Sequence, residues 1–322
     1  MDNSNKLTQI VEHNLRALRT EVVHKVGYPQ SDKKLLDYIV KRDNETSFIK
    51  LMQNVNTISN LFKELKKFAN FLNINVLIIA DKINDEGILE GVLHIRDRVG
   101  IVQTRTINEM AYGERVYIYE YKGMFYVKID GRKLRELRCK KGYGLSELAK
   151  TIGATPKALQ MYEEGLIDMS VEKAYRFMEL FAKEFEDVLR EVDIFKDRII
   201  DSSIHRRNLT TKDDEVKQKL LKVIIDQGAE AELFNYLPSD IIANKRGVRI
   251  FISFIDDKVS VEAAVVKAKE NKIISSVLDG VSINIVKDEA QREVIREIED
   301  YGIILKYNNV TKHGLDLERD LS

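Results

Sequence analysis

Two stretches, "DYIVKRDNETSFIKLM" from Asp37 to Met52 and "DIIANKRGVRIFISFI" from Asp240 to Ile255, align without a gap. Each holds an aspartate, an apolar triplet, a polar turn and a second apolar strand. Phe48 falls on Phe251, Ile49 on Ile252 and Leu51 on Phe254. Further on, "VGIVQTRTINEMAYG" from Val99 falls beside "YGIILKYNNVTKHGL" from Tyr301. Gly100 lies 63 residues after Asp37, and Gly302 lies 62 after Asp240. Two matched landmarks at one spacing predict a repeated α/β unit. The plainer alternative is that any two α/β units share such a pattern.

Around the first stretch, the apolar period of residues 6–27 predicts an amphipathic helix. "LLDYIVKRD" and "SFIKLMQNV" read as two strands joined by "DNET", followed by a helix from Ile58 to Leu72 and the strand "NVLIIAD". "GVLHIRD" and "GIVQT" are strand-like, "TINEMAYG" is a short helix, and "RVYIYEYKGMFYVKID" is a hairpin turning at Lys122-Gly123. Alternation of this kind predicts an α/β or α+β domain over residues 1–130. From Arg132 the pattern is helical only, which sets off an all-α segment at 131–182, with Ser170 as an N-cap and Glu172 in the first turn after it. A helical extension and polar linker follow at 183–218, then a second α/β domain at 219–322.

The chain of 322 residues is 44% apolar and 32% charged, with 52 basic and 52 acidic side chains that cancel. Charge therefore has to be read by segment. From Arg132 to Lys157 eight basic residues face two acidic ones, Glu136 and Glu147, a local charge of +6. Such a concentration is the footprint expected for phosphate contact; the bland reading is a solvated helix face. Cys139 is alone, which excludes an internal disulfide, and the five histidines show no metal-ligand spacing. No apolar run approaches the ~18 residues of a membrane span. A reducing, cytoplasmic setting is the expectation. Phosphate-cradling glycine loops and the G-x-S-x-G nucleophile motif are absent.

Within the helical segment, "LSELAKTIGATPKALQMYEEG" (145–165) has the parts of two helices packed at a steep angle. Gly153 supplies the turn, and Leu148, Ala149 and Ile152 supply an inner face. Thr155 caps the second helix and Pro156 fits its first turn. Leu159 and Tyr162 point inward, which leaves Lys157, Gln160, Met161 and Glu164 outward.

With "LRELR" (134–138), "ELAKTIG" (147–153), "TPKALQMYEEG" (155–165) and the helix opening "SVEKAYRFMELF", residues 132–181 resemble the cro/C1-type, lambda-repressor-like helix-turn-helix family. The resemblance implies a dimer that lays 155–164 in the major groove. By position Lys157, Gln160 and Met161 would meet bases; glutamine can pair with adenine and methionine can touch a thymine methyl. Arg135, Arg138, Lys140, Lys141 and Thr155 would meet the DNA backbone. Pro156 and Met161 depart from the family, where polar or basic residues are usual.

The order helix, aspartate-bearing strand, strand with a lysine, helix, strand resembles the restriction-endonuclease-like core. There an aspartate, and an acid two residues before a lysine, hold a divalent metal. Asp37 and Lys50 match by place, but Phe48 stands where the acid belongs, and Phe251 and Ser253 occupy the corresponding second-copy positions. The resemblance therefore implies a degenerate site with no metal and no cofactor. For Asp37 and Asp240 the bland alternative is a turn cap, and for Lys50 a solvent-facing residue.

The whole layout resembles a group of predicted archaeal transcriptional regulators, on "DYIVKRDNETSFIKLMQNV", the hairpin running into "GRKLRELR", and "PSDIIANKRG". The function expected is a non-enzymatic, sequence-specific DNA-binding regulator. Its partners would be double-stranded DNA and a second copy of the chain, with no membrane and an effector ligand left unidentified. A metal-dependent nuclease and a scaffold protein are the alternatives.

Overall fold

The structure is a computed structural model that describes residues 3–29, 34–43, 45–197, 215–256, 259–287 and 292–315. The chain divides into two compact units: Met1–Val23, Val40–Phe62 and Phe68–Asp201 form the first, and His24–Ile39, Lys63–Lys67 and Ser202–Ser322 the second. The helical segment at 131–182 lies wholly within unit 1.

The first elements are α1 (Asn3–Ala17), β1 (Glu21–Lys25), β2 (Tyr38–Arg42), β3 (Glu45–Leu51), β4 (Asn54–Val55) and α2 (Asn60–Leu72). They are followed by β5 (Asn75–Ala80), β6 (Lys82–Ile83), β7 (Glu86–Gly87), β8 (Val92–Arg96), β9 (Val99–Gln103), α3 (Thr104–Ala111), β10 (Ile118–Tyr121) and β11 (Met124–Ile129). The helix expected over 6–27 stops at Ala17. Arg19 adopts φ 57° and the chain restarts as a strand, because the β-branched pair Val22-Val23 favours extended backbone.

β3, β5 and β9 run parallel in adjacent positions. Five of the six residues of β5 are buried, as a strand covered on both faces requires. The helix α2 starts where the Ser59 hydroxyl accepts the Phe62 amide and ends at Asn73 in the left-handed region. Its Phe68 meets Phe48 edge to face at 5.5 Å. The strands form one large sheet in the order β1-β2-β3-β5-β9-β8-β10-β11, and β4, β6 and β7 form a separate small one.

Next come α4 (Gly131–Lys140), α5 (Leu145–Thr151), α6 (Pro156–Glu163), β12 (Met169–Ser170), α7 (Val171–Phe181), α8 (Lys183–Glu186) and β13 (Leu189–Arg190). The segment read as helical only is thus stitched to the sheet, since β12 and β13 both pair with β11. Val127 and Ile129 of β11 share one core with Leu134, Leu148, Leu159, Phe177 and Phe185. The long apolar run from Val171 breaks at Ala182, which has φ 47°, and 187–197 then returns along the sheet as an irregular strap.

The C-terminal elements are α9 (Glu215–Asp226), β14 (Glu230–Leu233), β15 (Ile241–Lys245), β16 (Val248–Ile255), α10 (Val261–Val277), β17 (Gly280–Val286), α11 (Arg292–Ile298), β18 (Ile303–Lys306) and α12 (Tyr307–His313). Residues 201–214 of the expected linker lie outside the described residues, and its last four begin α9. The sheet order is β14-β15-β16-β17-β18, with β16, β17 and β18 parallel. β2 and β15 carry the same burial pattern, three buried residues and then two at the surface, and Phe48 and Phe251 are both fully buried.

Candidate nucleic-acid interface

The helix α4 begins where the Asp130 carboxylate accepts the Lys133 amide at 3.1 Å. Its first residue has to be glycine. A Cβ on Gly131 would lie 2.5 Å from the carbonyl oxygens of Tyr162 and Glu163, so α4 touches the end of α6 backbone to backbone. Gly153, at φ 66°, turns the chain between α5 and α6, and Thr155 caps α6 by accepting the Ala158 amide at 3.1 Å with Pro156 in the first turn. Leu159 and Tyr162 are buried; Lys157 and Gln160 are exposed, and Met161 is half-buried. The Gln160 amide donates to the Glu164 carboxylate at 2.7 Å, one turn on, which fixes the orientation of its head group.

Among the positions expected at the DNA backbone, Arg135 and Thr155 are exposed. Lys140 and Lys141 are exposed too, and both reach Glu184, at 3.0 and 2.5 Å. Those two bonds hold the Glu184 carboxyl below its ordinary range. Arg138 is turned inward. Its guanidinium forks onto Glu163 at 2.5 and 2.9 Å and donates to the Tyr143 carbonyl at 3.0 Å. Only 13% of the Arg138 side chain and 6% of Glu163 reach solvent, and the bond to Glu163 holds the guanidinium's pKa above its ordinary value. Arg138 therefore fastens α4 to α6 and is withdrawn from the phosphate-facing set. Sequence counting missed Glu163 and Glu184 as partners because they lie 25 and about 44 residues away.

The nuclease-like positions are placed as follows. Phe48 is fully buried and packs on Phe68; Lys50 is 5% exposed. Asp37 pairs with Lys34 at 3.4 Å, and its carbonyl accepts the Val26 amide. An aromatic ring in the core offers magnesium nothing, so these residues do not fit a two-carboxylate metal site. Among the described residues no three His, Cys, Asp or Glu side chains are grouped to hold a metal ion. In the second copy, Asp240 is 5% exposed and lies 2.5 Å from Lys267 and 2.9 Å from Lys217. It also accepts the Phe254 amide, while Ser253 donates to Asn284. That corresponding position is a closed buried network.

Residues 4–116 match the PD-(D/E)XK superfamily domain. The chain is 29% identical over 260 residues to the "Putative HTH-type transcriptional regulatory protein Ta1363" of Thermoplasma acidophilum, covering 80% of each chain. A similarly titled protein of Sulfurisphaera tokodaii is 27% identical over 292 residues, 90% of this chain and 93% of that one. Another, from Pyrococcus horikoshii, is 31% identical over 189 residues, 58% of this chain and 59% of its own length. No solved structure matches the chain at comparable significance. Among the described residues no helix is long and apolar enough to cross a membrane.

Proposed function

We propose that the chain is a DNA-binding transcriptional regulator that reads double-stranded DNA with α6 of a cro/C1-type helix-turn-helix. The observation that carries the reading is the division of α6 into two faces. Leu159 and Tyr162 bury one face in the core shared with the sheet, and Lys157 and Gln160 stand exposed on the other, with Met161 half-buried between them. Lys157 and Gln160 contact base edges, Met161 lies against the groove, and Arg135, Lys140, Lys141 and Thr155 contact phosphates. Releasing Lys140 and Lys141 from Glu184 costs little, because exposed ion pairs are weak. Two copies bind adjacent half-sites about 34 Å apart. The titles of the archaeal relatives support this reading. The second sheet is read as a degenerate repeat of the first, supported by the matched strand order and the paired Phe48 and Phe251.

The test is selection of random duplexes at about 150 mM salt with wild type and the Lys157→Ala/Gln160→Ala variant. The expected result is an enriched, near-palindromic site that the variant no longer selects; salt-sensitive binding without enrichment would remove the claim of sequence reading. The PD-(D/E)XK match favours a second reading, a nuclease. Incubating supercoiled and linear DNA with the protein and magnesium or manganese tests it. Cleavage abolished by Asp37→Ala and Lys50→Ala would establish it despite Phe48.

A further inference from the structure

A half-open cavity of about 400 Å³ lies in unit 1 along α3, lined from Thr106 to Met110 and by the residues that follow the helix. That is within the range that accommodates a small metabolite. Its lining is mixed. Met110 and Val116, 8% and 1% exposed, give an apolar floor. Glu90 and Glu109 are both held by Arg105, at 3.1 and 3.2 Å. That leaves two groups at the rim for a ligand. Glu114 is exposed and makes no ion pair among the described residues, and Arg115 touches Glu191 only at 3.9 Å with its side chain 64% exposed. One open carboxylate, one loosely engaged guanidinium and an aliphatic floor match a molecule with an ammonium, a carboxylate and an apolar side chain.

We propose that this cavity binds a free α-amino acid with an apolar side chain, and that binding is transmitted to the helical segment. The ligand's ammonium pairs with Glu114. Its carboxylate takes the Arg115 fork in place of Glu191, because a bidentate pair with a carboxylate outbids a single contact at 3.9 Å. The route onward is short. Glu191 lies in the strap next to Val192, whose amide donates to the Val116 carbonyl at 2.7 Å. Leu189 pairs with Ile129, and the Val188 carbonyl accepts the amide of Asp130 at 2.8 Å. Asp130 caps α4, and Gly131 beside it abuts the end of α6. Displacing Glu191 thus acts on the strap that anchors the start of α4. The regulatory meaning rests on the DNA-binding reading; the binding and the change in the strap do not.

The experiment is calorimetric titration of the full chain with L-leucine and L-methionine, alongside isoamylamine and 4-methylpentanoate, which lack the carboxylate and the ammonium respectively. Amide hydrogen exchange is followed with and without leucine. The expected result is saturable binding of an amino acid, at least about tenfold weaker for either analogue and for Glu114→Gln or Arg115→Gln. Glu293→Gln, in the other unit, should bind as wild type does. Exchange at 188–192 should change on binding whether or not the protein binds DNA. No saturable binding, equal binding of the analogues, or binding that leaves exchange at 188–192 unaltered would each overturn the proposal. An exchange response in a protein that ignores DNA would sink the regulatory reading alone.

Discussion

At the residue scale the most informative side chain is Arg138. Removing one member of a largely buried, forked ion pair strands the other with its desolvation uncompensated. Arg138→Ala should destabilise unit 1 by about 2–3 kcal/mol, and Glu163→Ala by a similar amount. The Arg138→Ala/Glu163→Ala double variant should lose less than the sum of the two. Urea unfolding of all four proteins measures this, and simple additivity would mean that the pair is not coupled. Phe48 gives a second test. If it serves the core, Phe48→Ala should cost about 3–5 kcal/mol, the range for a buried aromatic that leaves a cavity. A cost below about 1 kcal/mol would return the position to the surface.

A third residue-scale prediction concerns pH. Glu120 is 3% exposed and takes Arg96 at 2.5 Å, the Gly123 amide at 2.6 Å and the Nδ1 side of His94 at 3.2 Å. Burial works to raise the Glu120 pKa, but these partners together hold it below the ordinary range. Burial of His94 pushes its pKa down, outweighing the carboxylate beside it. Both groups therefore bind fewer protons folded than unfolded, and stability rises with pH through their titration. The contribution is fully present above about pH 6.5, the unfolded histidine value, and is lost first from His94 and then from Glu120 as pH falls. In urea midpoints between pH 7 and pH 5, His94→Gln should show a shallower pH dependence than wild type. An unchanged slope would mean that His94 is protonated alike in both states.

At the element scale, Gly131 sets the approach of α4 to α6. Alanine at an exposed helix position normally gains about 1 kcal/mol over glycine. Here a Cβ would meet two carbonyl oxygens at 2.5 Å, so the sign should reverse. Gly131→Ala should destabilise unit 1 by about 1–3 kcal/mol, the usual cost of overpacking. A gain in the chemical unfolding midpoint would show that α4 can move away freely. The helices α4 to α7 were legible because their periods and turn residues are local: Thr155, Ser170 and Gly153 do what such residues do wherever the backbone presents free amides or needs φ > 0. The end of α1 and the break at Ala182 were not legible. An apolar period continues through both, and only packing decides between helix and strand there.

At the scale of the whole molecule, DNA affinity should fall steeply with salt. A dimer that uses Arg135, Lys140 and Lys141 of each copy makes about six charged phosphate contacts, a log–log slope near −5, and Lys140→Ala/Lys141→Ala should flatten it by about 3 to 4. A slope unaffected by that pair would place the phosphate contacts elsewhere. The +6 counted between Arg132 and Lys157 overstates the free charge, because Glu163 holds Arg138 and Glu184 engages Lys140 and Lys141.

By itself, the amino-acid order determined most of the helices and strands, the turns between them and which face of α6 is polar, but not the end of α1 or the break at Ala182. Those properties depend on neighbours within a turn or two of the chain. Only the tertiary structure decided that the helical segment shares its core with β11, that Arg138 is spent on Glu163, and that the strap returns to Val116. It alone brought Glu114 and Arg115 to the rim of one cavity floored by Met110 and Val116. Ion pairs and cavities join residues far apart in sequence, and they exist only once the backbone has brought those residues together.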